Sequence, residues 1–265
     1  MNVVSEKTFR TPILQRIYRI LREEVDPGFS FVSPGPLPWT AGPVSLVEAR
    51  VALVSTAGIH LRKDPPFRSM EEKFGDTSFR VVPHGADEAL LVLDAPYVDD
   101  KYVSRDVEVA LPMKALDRLC AEKLVGAPAP RHYSFCSGII HPLPGLAESA
   151  ERVAEMLRRD GVGAVVLLPT CSLCVQSTCV IARELEARGF PTVAVSLLPE
   201  LSEVIGAPRT LSVHFPFGAP CGNPGHGELH EAVLREALSL LGDAVAPGMI
   251  RASRHAWRRS PESGE

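Results

Sequence analysis

An α/β fold, a mostly parallel Rossmann-like sheet wrapped by helices, is predicted by three features of the 265-residue sequence. Short apolar runs rich in β-branched residues, at 49–55, 163–168, 192–197 and 210–215, read as buried strands. Segments with helical apolar spacing, at 172–188 and 228–241, alternate with them. From residue 163 onward the order is therefore β, α, β, α, β, α, the pattern of a parallel sheet with crossover helices.

Composition bounds the rest. A chain that is 45% hydrophobic can bury one sizeable core. The expected organisation is an N-terminal helix and proline-rich arm over 1–45, an α/β domain over 46–246, and a mobile tail over 247–265. The net charge of −4 argues against nucleic-acid binding. The N-terminus lacks an apolar signal core and no window reaches eighteen uncharged apolar residues, so neither secretion nor a membrane span is expected and a cytoplasmic location is. Six cysteines in a chain of this length do not make a disulfide framework, so a Cys-x-x-Cys pair points to catalysis or metal binding.

Along the chain, Thr11-Pro12 opens a helix with Ile13, Ile17, Ile20 and Leu21 on one face, and Pro27-Gly28 stops it. Residues 27–43 hold too much proline for regular structure and read as an extended arm or lining loop. The strand at 49–55 runs into a polar turn with Thr56, Gly58, His60 and Asp64, which a parallel sheet would place at its carboxyl edge, where ligands bind. Two shorter strands are expected at 90–94 and 107–111. A helix over 114–123 points Leu116, Leu119 and Cys120 inward. Residues 127–145, with His132, Cys136 and His141, have no assignable state. Ala150, Val153, Met156 and Leu157 mark an amphipathic helix leading into the 163–168 strand.

That strand ends at Pro169-Thr170, and Cys171 and Cys174 follow with Cys-x-x-Cys spacing. Cys171 is expected where strand becomes helix. Unpaired backbone N–H groups and the helix dipole lower a thiol's pKa there, which suits a nucleophile or metal ligand. Cys174 shares an inward stripe with Thr178, Ile181 and Leu185 and is expected to be shielded, the resolving thiol to an exposed attacking one. Cys179, about 140° around the helix from Cys174, reads as packing. His60 is either an acid or base or a turn histidine bonded to backbone. Cys221, between Pro220 and Gly222, is a third thiol of the same pocket or a loop-packing cysteine, and His214 reads as a core histidine. Cys171, Cys174, Cys221 and His226 would also make a Cys₃His zinc set, the alternative reading. A general dithiol–disulfide oxidoreductase is a further alternative, although a thioredoxin-type fold would not continue into a further βαβ unit.

The run PTCSLC with its helix, then FPTVAVSLLPELSEVIGAPRTLSVHFPFGAPCGNPG, resembles the B component of the glycine, sarcosine and betaine reductases and the related D-proline reductase subunit. Upstream, VALVSTAGIHLRKDPPF, SFRVVP, RDVEVALPM and APRHYSF resemble the short, cysteine-containing members of that family. The family's selenocysteine matches Cys171 and its next motif cysteine matches Cys174, while Ser177 stands where the clostridial enzymes carry a further cysteine. What the resemblance implies is reductive cleavage: a chalcogen nucleophile attacks the carbon bearing nitrogen, the amine leaves, and thiols regenerate the site. It implies no cofactor in this chain, a small-molecule substrate, a separate pyruvoyl-bearing subunit that holds the amine, and a thioredoxin-like electron donor. With sulfur in place of selenium, it implies a substrate more activated than glycine. Homo-oligomerisation is left open.

Overall fold

The computed structural model describes residues 4–33, 35–43, 45–68, 74–94 and 100–257. Its strands are β1 (Arg50–Ser55), β2 (Ile59–Leu61), β3 (Phe79–Pro83), β4 (Leu91–Leu93), β5 (Ala127–Pro128), β6 (Arg131–Phe135), β7 (Ala164–Leu168), β8 (Thr192–Ser196), β9 (Arg209–Ser212) and β10 (Met249–Ala252). The α-helices are α1 (Pro12–Ile20), α2 (Met113–Ala121), α3 (Gly145–Arg159), α4 (Ser172–Glu186), α5 (Pro199–Ile205) and α6 (Gly227–Asp243). Strands β7 and β8 are buried at every residue, which is why they read as continuous apolar runs rather than alternating ones.

The main sheet has the order β10-β9-β8-β7-β1-β6-β3, with β5 pairing the start of β1. Every pairing is parallel except β3 with β6. Strands β2 and β4 form a separate antiparallel ribbon. From β1 the chain moves to one side, to β6, whereas from β7 it moves to the other, to β8. The carboxyl ends of β1 and β7 therefore flank a topological switch point, the crevice in which open parallel sheets place their ligands.

Two helical layers cover the sheet. Val51, Leu53, Val166, Leu168, Val193 and Val195 pack with Leu116 and Leu119 of α2 and Val233 and Ala237 of α6. Ala52, Val54, Val165 and Leu167 face the other way, onto Val153 and Leu157 of α3 and Ile181 and Leu185 of α4. A third layer lies outside α4, where Phe9, Tyr18, Phe29 and Phe31 pack on Leu173, Val175 and Cys179. As a result 13 of the 15 residues of α4 are buried, not one inward stripe.

The proline-rich arm is fastened through carbonyls, the one polar backbone group that proline retains. Arg183 donates from Nη2 to Gly35 O at 3.0 Å and Pro36 O at 2.7 Å. Arg209, fully buried, pairs through Nη1 with Glu186 Oε1 at 2.7 Å, donates from Nη2 to Thr40 O at 2.6 Å, and lies 3.7 Å over the Trp39 ring. Glu186 also accepts the Thr192 amide at 2.7 Å and the Thr40 amide.

Several expectations are corrected. The face of α1 that packs is Leu14, Tyr18 and the following Leu21, while Ile13 is 54% exposed and Ile20 37%. The aromatic cluster around Tyr18 sets the rotation, which apolar spacing alone does not report. Residues Val107–Val109 form a 3-10 turn, not a strand. Part of the linker before it, 95–99, lies outside the described residues. Segment 127–145, unassignable from sequence, supplies β5, β6 and the start of α3. His214 lies beyond β9 and is exposed, not a core histidine. Strand β10 pairs with β9 within the stretch expected as tail, and Trp257 stacks on Tyr102 at 5.2 Å, while 258–265 lie outside the described residues. Among the described residues no helix is long and apolar enough to cross a membrane.

The 3-10 turn has a pH consequence. Glu108 folds over the start of α2, where Oε1 accepts the Lys114 amide at 2.9 Å and Oε2 the Ala115 amide at 3.1 Å. Burial nevertheless raises its carboxyl to about 7. A folded pKa above the unfolded one means that the native state holds more protons, so stability is full below the unfolded value and falls as pH rises through about 7. Between pH 5 and 7 the wild type should lose about 2 kcal/mol from this group. The Glu108→Gln variant should show a flatter decline in thermal melts across that range, and parallel profiles would refute the assignment.

Candidate active site

Local sequence builds the turn after β7. Cys171 has extended backbone angles, φ −145° and ψ −179°, and caps α4: its Sγ accepts the Cys174 amide at 3.1 Å, the role usually filled by serine or aspartate. Thr170 Oγ1 lies 3.2 Å from Thr56 O and 3.4 Å from Cys174 Sγ, and Cys174 Sγ lies 3.7 Å from Thr56 O. The Thr56 amide in turn donates to Leu168 O at 3.2 Å, stitching the ends of β1 and β7 together. From the loop after β6, the Gly138 amide reaches both sulfurs. Gly138 has φ +70°, a left-handed conformation that disfavours side chains, so a glycine is needed to turn that amide into the site. Loops after β1, β6 and β7 thus converge on two thiols at the switch point.

Cys174 is fully buried and Cys171 partly exposed, the relation expected from the spacing. Their ionisation differs from expectation. Burial pushes both thiols up; against it, a hydrogen bond from Cys171, with contributions from Thr170, Thr56 and the Gly138 amide, draws Cys174 down to about 6. For Cys171, burial and the same contact with Cys174 act together and hold it well above the ordinary thiol range. The lowered value expected on Cys171 therefore belongs to the pair, which loses its first proton easily and holds the second. The surroundings of the pair favour the charged form on the buried sulfur of Cys174 and disfavour it on Cys171.

Among the described residues, no hydrogen bond joins the other candidate side chains to this pair. Cys221 is fully buried in the cluster formed with Val109, Ala219 and Leu229 on the α2/α6 face, whereas Cys171 packs with the outer cluster on α4. Burial, with Glu108 and Asp106 nearby, holds the Cys221 thiol well above its ordinary range. His60 is buried and stacks edge-on with Phe67 at 6.0 Å. Its Nδ1 donates to Leu61 O at 2.8 Å, and its Nε2 has no partner among the described residues. Among the described residues no three His, Cys, Asp or Glu side chains come together to hold a metal, so Cys171, Cys174, Cys221 and His226 do not assemble the Cys₃His set. Cys179 is buried against Val175 and Leu201. Ser177 donates to Leu173 O at 3.2 Å within its own helix. Gly138 was missed by sequence reasoning; the available signal was a Ser-Gly turn dipeptide after an apolar–aromatic stretch.

These environments rank the thiols. Iodoacetamide labelling read by peptide mass spectrometry should modify Cys171 first, with a midpoint below the free-cysteine value of about 8.5, while Cys179 and Cys221 stay protected in the folded protein. Equal rates at Cys171 and Cys174 would remove the assignment of Cys171 as the reachable sulfur.

Fold and site together define an α/β protein with a pair of neighbouring thiols at the switch point of a mostly parallel sheet. By sequence, the chain is homologous to D-proline reductase subunit gamma and to component B subunits of the glycine, sarcosine and betaine reductase complexes, the family expected from the PTCSLC run. It is 29% identical to the D-proline reductase subunit gamma of Acetoanaerobium sticklandii over 83% of this chain and 88% of that one. It is also 29% identical to the glycine reductase complex component B subunit gamma of Carboxydothermus hydrogenoformans, over 80% of this chain and 47% of that protein. With the sarcosine reductase complex component B subunit beta of Peptoclostridium acidaminophilum, identity is 24% over 82% of this chain and 48% of the relative. The chain thus spans about half the length of its component B relatives. No family profile and no solved structure matches the chain.

Proposed function

We propose that this protein is a subunit of a thiol-dependent reductase complex that reductively cleaves a carbon–nitrogen bond in a small amine. The observation that carries the reading is the Cys171–Cys174 pair at the switch point: Cys171 partly exposed, Cys174 buried, and the Cys174 amide donating to the Cys171 sulfur. Homology to reductase subunits supports the reaction class. D-proline, glycine, sarcosine and betaine are the candidate substrates to try first.

The chain's own residues fit the following sequence. As a substrate carbon approaches Cys171, its S–H passes the proton to the Cys174 thiolate and the Cys171 sulfur attacks, forming a C–S bond as the C–N bond breaks. The departing amine takes the proton from Cys174. The Cys174 thiolate then attacks Cys171 Sγ, forming a disulfide, and the carbon keeps the C–S electron pair and takes a proton from water. The substrate has gained two electrons and the pair has lost two, which an external dithiol of thioredoxin type restores. A carbonyl group that activates the amine, such as a pyruvoyl group, would come from a partner subunit. His60, with its bare Nε2, and Cys221 remain secondary candidates for proton transfer.

The test starts from the reduced protein, mixed with each amine, with and without the proteins that co-purify with it, and no added reductant. A substrate-dependent Cys171–Cys174 disulfide in peptide mass spectra is the expected result. If no amine oxidises the pair even with the co-purifying proteins present, the reading is wrong.

A further inference from the structure

Thr170 sits where it can touch both the sulfur and the strand end beside it. Its Oγ1 is 3.2 Å from Thr56 O and 3.4 Å from Cys174 Sγ, and it is fully buried. One hydroxyl hydrogen cannot serve both acceptors. When Cys174 holds a proton, its S–H has Thr56 O at 3.7 Å and Thr170 Oγ1 at 3.4 Å as acceptors, and the Thr170 hydroxyl donates to Thr56 O. When Cys174 is a thiolate it can only accept, and a rotation of the Thr170 hydroxyl about its C–O bond supplies a donor. We propose that Thr170 is a positioning residue whose hydroxyl turns from the Thr56 carbonyl to the Cys174 sulfur, holding that sulfur as the proton acceptor for Cys171. The assignment rests on the reading that Cys171 is the attacking sulfur.

The groups that face Cys174 leave this hydroxyl a large share of the work. From the cap of α4 it meets Cys171, a titratable neighbour; from the end of β1 it meets Thr56, and from the β6 loop the Gly138 amide, both uncharged. Hydrogen bonds to the charged form are what lower a pKa in a buried site, and such donors are the lowering influences on this sulfur. Thr170 itself transfers no proton. The Cys171 proton moves to Cys174, and the Thr170 hydroxyl only changes acceptor.

Thr170→Val keeps the shape and removes the hydroxyl. The experiment reads two signals against pH on the full chain: thiolate ultraviolet absorbance, and the rate of Cys171 labelling by iodoacetamide. The valine variant should move the first thiolate midpoint upward by about one unit and slow labelling roughly tenfold at about pH 5, below both midpoints. Thr170→Ser, which keeps a hydroxyl, should restore both. Unchanged profiles in the valine variant would overturn the proposal, and so would a serine variant that shifts as far as valine, since a merely packing role predicts that. If the valine variant does not fold, Thr170→Ala is measured in its place and judged by the same outcomes. Because the probe is iodoacetamide rather than an amine, failure here removes Thr170 alone. Failure of the amine-dependent disulfide removes the reductase reading instead.

Discussion

Cys171→Ser is expected to abolish substrate-dependent chemistry while leaving the protein folded. Serine is a good N-cap, so it can still accept the Cys174 amide that Cys171 Sγ receives at 3.1 Å and the start of α4 should survive. Its hydroxyl, however, does not ionise near neutral pH even at a helix start, and the Cys174 thiolate is too weak a base to remove that proton. Turnover should fall by roughly three orders of magnitude or more, as when a nucleophile is removed from interdependent groups. No adduct should appear in the intact-protein mass. Cys174→Ser should behave differently. Cys171 remains and can attack, more slowly near neutral pH because its proton acceptor is gone, but no internal thiol resolves the product. A trapped adduct on Cys171, with at most one turnover, is the expected spectrum. Full multiple turnover in Cys174→Ser would show that external thiols resolve the intermediate and would remove the resolving role from Cys174.

Arg209→Met should cost about 3–5 kcal/mol, the usual penalty for stripping one partner from a buried ion pair. Both members of the pair are 0% exposed, and burial pulls the Arg209 guanidinium down and pushes the Glu186 carboxyl up, so desolvation opposes both charges. Without Arg209, Glu186 is left charged in the interior or takes a proton, and the arm loses the bond to Thr40 O and the stack on Trp39. The melting temperature should drop on the order of 10 °C. Arg209→Met/Glu186→Gln should recover part of that loss, because the neutral amide can still accept from Thr192. A single variant as stable as the wild type would show that the buried pair holds nothing in place.

The reactive pair was legible because its signals are local. An apolar β-branched run, a Pro-Thr stop and Cys-x-x-Cys before a helical stretch specify a strand-to-helix turn within about ten residues, and helix-start chemistry follows from backbone geometry. Parallel strands β1, β7 and β8 were legible for the same reason: strands buried on both faces show near-continuous apolar runs. The α1 face was misread because apolar spacing marks which residues could pack, while Tyr18, counted as neither, anchors the aromatic cluster. The exposed edge strand β10 shows no apolar run at all, which hid it in the tail.

By itself the sequence determined an α/β chain with a thiol pair at a helix start, one sulfur outward and one inward, because those properties depend on neighbours a turn or a strand away. Tertiary structure alone decided that β1 lies beside β7, which makes their ends a switch point, and that Gly138 and Thr56 close on the sulfurs. It also decided that the surroundings favour charge on the buried sulfur of Cys174. Strand order and the balance between burial and hydrogen bonding are set by contacts between segments 36 to 118 residues apart, and no local pattern encodes which loop's amide or hydroxyl will reach a given sulfur.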